Sequence, residues 1–247
     1  MIYFPRKYDH FYHRNIRKTV PVVFRTSQGE QTAFYLKPKV KDVRSIWILF
    51  GGNGSLAIDW MPLLENDKER KSGYLLVDYP GYGKCNGNPY PASILESSEE
   101  ALKALFKLHN WDYLNHDISI NIMGHSLGAA TGLQFSTRIN TNKIILISPF
   151  TRMVDMGKLV VGYPLCYLVK HKFDNTSIIS KLVSKESTPK IIIIHGDNDE
   201  VIPVRMGRVL AQLKPEIIDY YEIPGGDHNS IISDQTDLII RRLTEDE

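Results

Sequence analysis

Residues Gly124-His125-Ser126-Leu127-Gly128 set a serine between two glycines, directly behind Ile118-Ser119-Ile120-Asn121-Ile122-Met123, a run apolar enough for a buried strand. After the serine, Leu127 to Arg138 is small and apolar, as suits a packed helix. A G-x-S-x-G pentapeptide between strand and helix demands a sharp turn that lifts the serine clear of the sheet. The flanking glycines, lacking Cβ atoms, let neighbouring backbone approach that turn closely. The first N–H groups of the helix point back at the serine, where they steady negative charge. A serine ahead of a helix is often only its cap. What separates a cap from a reactive hydroxyl is whether a base and an acid follow at suitable places in the chain.

The turn needs a sheet to carry it, and the sequence supplies one. Ser45-Phe50, Tyr74-Asp78, Ile118-Met123, Lys143-Ser148 and Lys190-His195 are continuously apolar rather than alternating, the pattern of strands buried on both faces. Ile217-Ile223 reads as a last strand. Val20-Arg25 and Gln31-Leu36, separated by Thr26-Ser27-Gln28-Gly29-Glu30, read as an antiparallel hairpin. Helical stretches fall at Ser93-His109, Leu127-Arg138, Val204-Leu213 and Ser233-Leu243, with Ala92-Ser93 and Pro203 as start signals. Alternation of strands and helices predicts an α/β fold, a mostly parallel central sheet with helices on both faces. Without repeats or linkers, the 247 residues make a single α/β domain, 1–247.

In such sheets ligands bind beyond the carboxyl ends of the strands, and the polar constellations lie there. After Lys190-His195 comes Gly196-Asp197-Asn198-Asp199-Glu200-Val201-Ile202-Pro203. After the last strand comes Pro224-Gly225-Gly226-Asp227-His228-Asn229. A serine hydroxyl is a poor nucleophile at neutral pH and needs a base oriented by a carboxylate. Acid and histidine follow Ser126 in the order that a strand–turn–helix serine requires. Asp197, Asp199, Glu200 and Asp227 all compete for the role of acid. For the base, His228 stands behind two glycines, whereas His125 is locked beside the serine and His195 ends a buried strand. His109, His116 and His171 lie in polar, surface-like contexts. His195, Asp197 and Asp199 could also be read as metal ligands, but no helical His-x-x-x-His or cysteine cluster completes a site, so no metal is expected.

The chain resembles the α/β-hydrolase family over nearly its whole length. The matching pieces are Gly51-Gly52-Asn53-Gly54, Asp78-Tyr79-Pro80-Gly81-Tyr82-Gly83, Gly124-Ser126-Gly128, His195-Gly196-x-x-Asp199-x-Val201-x-Pro203 and Gly226-Asp227-His228. It is similar to the small-capped branch that includes membrane-associated hydrolases, acyl-protein thioesterase-like enzymes and prolyl-oligopeptidase-related peptidases. The resemblance implies Ser126 as nucleophile, His228 as base and Asp199 as acid, with no cofactor. It implies an oxyanion hole made of the Leu127 N–H and the Asn53 N–H. Gly51 stands where the family carries histidine, which leaves Gly52 or Gly54 as alternative donors. Asp78 to Gly83 matches a structural hallmark, and Cys85, where relatives often carry serine, reads as packing.

Family analogy places a short cap around 150–188. In its apolar stretch Met153–Val169, Met156, Leu159, Val160 and Tyr163 are expected to line a small acyl site, or else this stretch simply packs on the core. The expected function is hydrolysis of carboxylic esters or thioesters, with a small-molecule or acyl-group substrate. A serine peptidase of the same fold and a non-catalytic hydrolase-fold binding protein are the alternatives. A hydrophobic content of 43% and a charged content of 23% are ordinary for a globular chain. The net charge of +2 gives no footing for nucleic acid or an anionic membrane, and the basic group Arg6, Lys7, Arg14, Arg17 and Lys18 reads as solvated surface. No apolar run is long enough to span a membrane, since Leu159 to Val169 is short and interrupted by Pro164. The N-terminus lacks the apolar core of a signal peptide, and two cysteines make no disulfide framework. Together these features predict a cytoplasmic location.

Overall fold

In the computed structural model, which describes residues 2–114, 117–182 and 188–245, the apolar runs form eight strands of one sheet. They are β1 (Val20–Thr26), β2 (Gly29–Leu36), β3 (Ser45–Phe50), β4 (Gly73–Val77), β5 (Ser119–His125), β6 (Lys143–Ile147), β7 (Lys190–Gly196) and β8 (Ile218–Ile223). The order across the sheet is β1-β2-β4-β3-β5-β6-β7-β8. The first two strands form the expected hairpin, with Thr26 opposite Gly29, and β2 runs antiparallel to β4; every later pairing is parallel. His116 and the cap residues 183–187 lie outside the described residues.

The helices are α1 (His13–Ile16), α2 (Met61–Leu64), α3 (Pro91–Leu108), α4 (Leu127–Phe135), α5 (Met153–Val161), α6 (Asn175–Leu182), α7 (Arg205–Ala211), α8 (Ile231–Asp234) and α9 (Thr236–Thr244). Helix α3 starts two residues before the expected Ser93, because Pro91 takes the first helical position, where its missing N–H costs nothing. The Ser93 hydroxyl accepts from the Tyr90 N–H and closes that end. The helix expected over Ser233–Leu243 is two helices, broken at Gln235. The apolar stretch from Met153 is α-helical to Val161, where Gly162, at φ +72°, turns the chain out, and a short 3-10 turn follows at Leu165–Leu168.

Both faces of the parallel strands are buried, and this is why those strands carry no polar alternation. Ile46, Ile48 and Phe50 enter one core with Ile144 and Ile191, under α3, α4, α6 and α7. Trp47, Leu49, Ile145 and Ile192 enter the other, against α2, α8 and α9. Strand β8, at the sheet edge, is only half-buried. From β3 the chain steps outward to β4, then returns to β5 on the other side of β3. The connections leaving β3 and β5 therefore diverge, opening the crevice that α/β sheets use for ligands. Among the described residues, no helix is long and apolar enough to cross a membrane.

Candidate active site

Ser126 sits between β5 and α4 at φ +57° and ψ −119°, a conformation that L-residues adopt only under constraint. The constraint comes from its glycine neighbours. A Cβ on Gly124 would lie 2.2 Å from the Gly128 carbonyl oxygen, and one on Gly128 would lie 2.0 Å from that of Phe50. Strand, turn and helix thus pack backbone against backbone. The Ser126 N–H donates to the Ile147 carbonyl at 2.9 Å, tying the turn to the end of β6. The serine itself is half-buried.

The structure brings His228 and Asp199 together. The Nδ1–H of His228 donates to Asp199 Oδ2 at 2.7 Å, and both side chains are almost fully withdrawn from solvent. Oδ1 accepts from the N–H groups of Val201 (2.9 Å) and Ile202 (2.7 Å). Burial works to raise the pKa of this carboxyl, but the hydrogen bonds from His195, His228 and the Ile202 N–H outweigh it and hold the group well below the usual carboxylate range. The other carboxylates serve elsewhere. Asp197 is exposed and accepts from the Gly225 N–H at 2.7 Å. Asp227 accepts from the N–H groups of Asn229 and Ser230, ordering the start of α8. Glu200 is exposed.

Two further histidines frame the pair. His125, next to Ser126, donates from Nε2 to the His228 carbonyl at 3.0 Å, with the two rings 4.8 Å apart. Burial, reinforced by the neighbouring His228, pushes the His125 pKa down to about 3, so the ring stays neutral and keeps that donor. This contact delivers the His228 loop to the residue beside Ser126. His195, fully buried at the end of β7, donates from Nε2 to the Ile202 carbonyl at 2.9 Å and stands 3.4 Å from Asp199 Oδ2. Their places in the motifs were visible in the sequence; their pairing with loops over a hundred and seven residues away, respectively, was not. His109, expected at the surface, is half-buried because its ring stacks on Trp111 at 4.5 Å. His171 is likewise half-buried, edge-on to Tyr3 at 5.4 Å.

The loop after β3 lies against the serine. A Cβ on Gly52 would fall 3.7 Å from that of Ser126. The Gly52 carbonyl accepts from the Ser55 N–H at 3.2 Å, which turns the N–H of the same peptide, that of Asn53, in the opposite direction. Among the described residues, neither that N–H nor the N–H of Leu127 has a hydrogen-bond partner. The loop is held from outside: the Asn53 carbonyl accepts from the Phe4 N–H (3.0 Å) and the Tyr82 hydroxyl, and the Gly54 carbonyl accepts from Arg6 (3.1 Å). Of the residues expected to line an acyl site, Met156 packs against the core, Leu159 borders a cleft of about 570 Å³ with Met206 and Val209, and Val160 and Tyr163 are exposed.

No family model matches the chain. It is 30% identical over 154 residues to α/β hydrolase domain-containing protein 17C of Xenopus tropicalis, across 62% of this chain and 46% of that one. It is 28% identical over 155 residues to an uncharacterized Mycobacterium tuberculosis protein, across 63% of this chain and 52% of the relative. The chain thus spans about half the length of the curated relatives it matches. Among solved structures, the Pyrococcus furiosus esterase Pf2001 superposes with a TM-score of 0.74 at 14% identity, covering 98% of this chain and 97% of the esterase.

Proposed function

The chain has the α/β-hydrolase fold, and we propose that it is a serine hydrolase that cleaves carboxylic esters or thioesters through an acyl-enzyme. The observation that carries this reading is the buried Asp199–His228 pair, with Nδ1 of His228 engaged at 2.7 Å. That bond fixes the proton on Nδ1 and leaves Nε2 as the basic nitrogen. In this reading Ser126 Oγ attacks the substrate carbonyl carbon as its proton passes to His228 Nε2. The new oxyanion is met by the Asn53 and Leu127 N–H groups, which need give up no other partner to receive it. The tetrahedral intermediate collapses as His228 Nε2–H protonates the leaving alcohol or thiol. Water, deprotonated by the same nitrogen, then releases the acid and restores Ser126. Asp199 keeps its charge throughout and steadies the transient imidazolium.

The reaction needs no cofactor. A panel of short and long acyl esters, acyl thioesters and aminoacyl anilides, run on wild type and Ser126→Ala, tests the reading. Ester or thioester turnover that vanishes with Ser126 supports it. Turnover confined to the anilides makes the protein a peptidase, and turnover that survives Ser126→Ala discards the proposal.

A further inference from the structure

Between β6 and α6 the chain leaves the body of the fold as a lobe clamped at its base. The Met153 N–H donates to the Phe173 carbonyl at 2.8 Å, the Asn175 N–H to that of Thr151 at 3.0 Å, and Asn175 Nδ2 to that of Phe150 at 2.7 Å. Inside the lobe the packing is done by small residues. A Cβ on Gly157 would lie 3.0 Å from Val169 Cγ2 and 3.3 Å from Cys166 Cβ, and Cys166 is fully buried. With the interior filled this way, the large apolar side chains are left outside. Val160 is 79% exposed, Tyr163 76% and Leu168 75%, and Leu159, Val161, Leu165 and Tyr167 are exposed beside them. So dense an apolar surface on one short lobe marks an interaction face.

The charges around it say what kind. From Met156 to Phe173 there is no Asp or Glu, whereas Lys158, Lys170 and Lys172 stand exposed at the two ends of the apolar run. The overall charge of +2 hides this local asymmetry. Aliphatic side chains interleaved with tyrosines and rimmed by lysines match the boundary where acyl chains meet charged headgroups. There the tyrosines span the polar boundary and the lysines reach back to the headgroups. Lys158 pairs with Asp155 at 3.8 Å, but a purely apolar protein partner would give Lys170 and Lys172 nothing to do.

We propose that this lobe docks on an anionic lipid surface, with residues 159–168 entering the acyl boundary and Lys158, Lys170 and Lys172 meeting the headgroups. The docking is peripheral and stands whether or not Ser126 is a nucleophile.

Flotation of the full chain with phosphatidylcholine vesicles, with and without phosphatidylserine, tests it. Wild type is expected to float with the phosphatidylserine vesicles and to be released by salt. Lys170→Ser/Lys172→Ser is expected to partition at least about tenfold less, each lysine near an anionic surface counting for about fivefold. Leu165→Ser/Leu168→Ser is expected to lose about tenfold or more, with an unchanged circular dichroism spectrum and melting temperature in both variants. The proposal is overturned if wild type stays unbound, if it floats equally without phosphatidylserine, or if Leu165→Ser/Leu168→Ser floats like wild type. It is also overturned if sedimentation shows a wild-type dimer that the same variant returns to monomer, because a second copy then covers the face. The salt release, read on wild type alone, decides the matter should either variant misfold.

Discussion

Replacing Asp199 by asparagine changes a single atom and separates the orienting role of the carboxylate from its packing. The side-chain oxygen of asparagine can still accept from the Val201 and Ile202 N–H groups, at 2.9 and 2.7 Å in the native loop. The amide nitrogen, in place of Oδ2, then confronts two donors, the His228 Nδ1–H at 2.7 Å and the His195 Nε2–H at 3.4 Å. His195 keeps the Ile202 carbonyl. His228 relieves the clash by moving its proton to Nε2, the nitrogen that in the proposed mechanism receives the proton of Ser126. The expected result is a fall in kcat of about 10⁴-fold, the size of effect seen when a triad carboxylate elsewhere is made an amide. Stability should fall by about 1–3 kcal/mol, the cost of one mispaired buried polar group, read as a lower Tm at about 2–4 °C per kcal/mol. Because the native carboxyl titrates below its ordinary range, its contribution to stability is complete above about pH 4 and fades as the pH falls through the folded-state value. The Tm gap between wild type and variant should therefore be flat at neutral pH and narrow in acid. Steady-state kinetics on an activated ester with melting curves across pH provide the assay. A folded Asp199→Asn protein within about tenfold of wild-type kcat would refute the reasoning, because His228 would then need no orienting acceptor.

Other perturbations follow from the same geometry. Gly128→Ala places a Cβ 2.0 Å from the Phe50 carbonyl oxygen and should cost about 3 kcal/mol or more, whereas Gly54→Ala, with nothing within 4 Å, should stay within about 0.5 kcal/mol; urea melts of the two compare them. Tyr82→Phe removes the hydroxyl that holds the Asn53 carbonyl and should lower kcat about tenfold with little change in KM, since in the proposed mechanism the loop it steadies meets the developing oxyanion; equal loss in KM and kcat would contradict that. Burial is the main reason that the Asp78 pKa is pushed up to about 7, with Tyr8 donating to it at 2.6 Å. A raised carboxyl favours the folded state below its unfolded value and progressively less as the pH climbs to about 7, so Asp78→Asn should gain stability relative to wild type between about pH 4 and 7. Melts showing a pH-independent difference would refute this.

Most of the sheet was legible because the inner parallel strands are buried on both faces, so Ser45-Phe50 and Lys190-His195 could be read as unbroken apolar runs. The serine turn was legible because its glycines answer a local steric demand at Gly124 and Gly128. Short elements were not. Helices α2 and α6 are four and eight residues long and owe their form to tertiary packing, which outweighs weak local propensity. The split at Gln235 leaves no mark in the sequence because the apolar positions of α8 and α9 fall in one continuous pattern. Within the site, the order of serine, acid and histidine could be seen in the chain, but the props could not. The clasp of His125 on the His228 carbonyl spans 103 residues, and that of Tyr82 on Asn53 joins loops from two strands. In the lobe, hydrophobicity was plain, yet which side chains face water depends on Gly157 and Cys166 filling the interior.

Incubation with a fluorophosphonate, followed by peptide mapping, tests the central claim most directly. The account predicts a single covalent adduct on Ser126, formed slowly or not at all in His228→Ala and absent from Ser126→Ala. A folded wild-type protein that stays unlabelled, or an adduct carried by a different side chain, would contradict it.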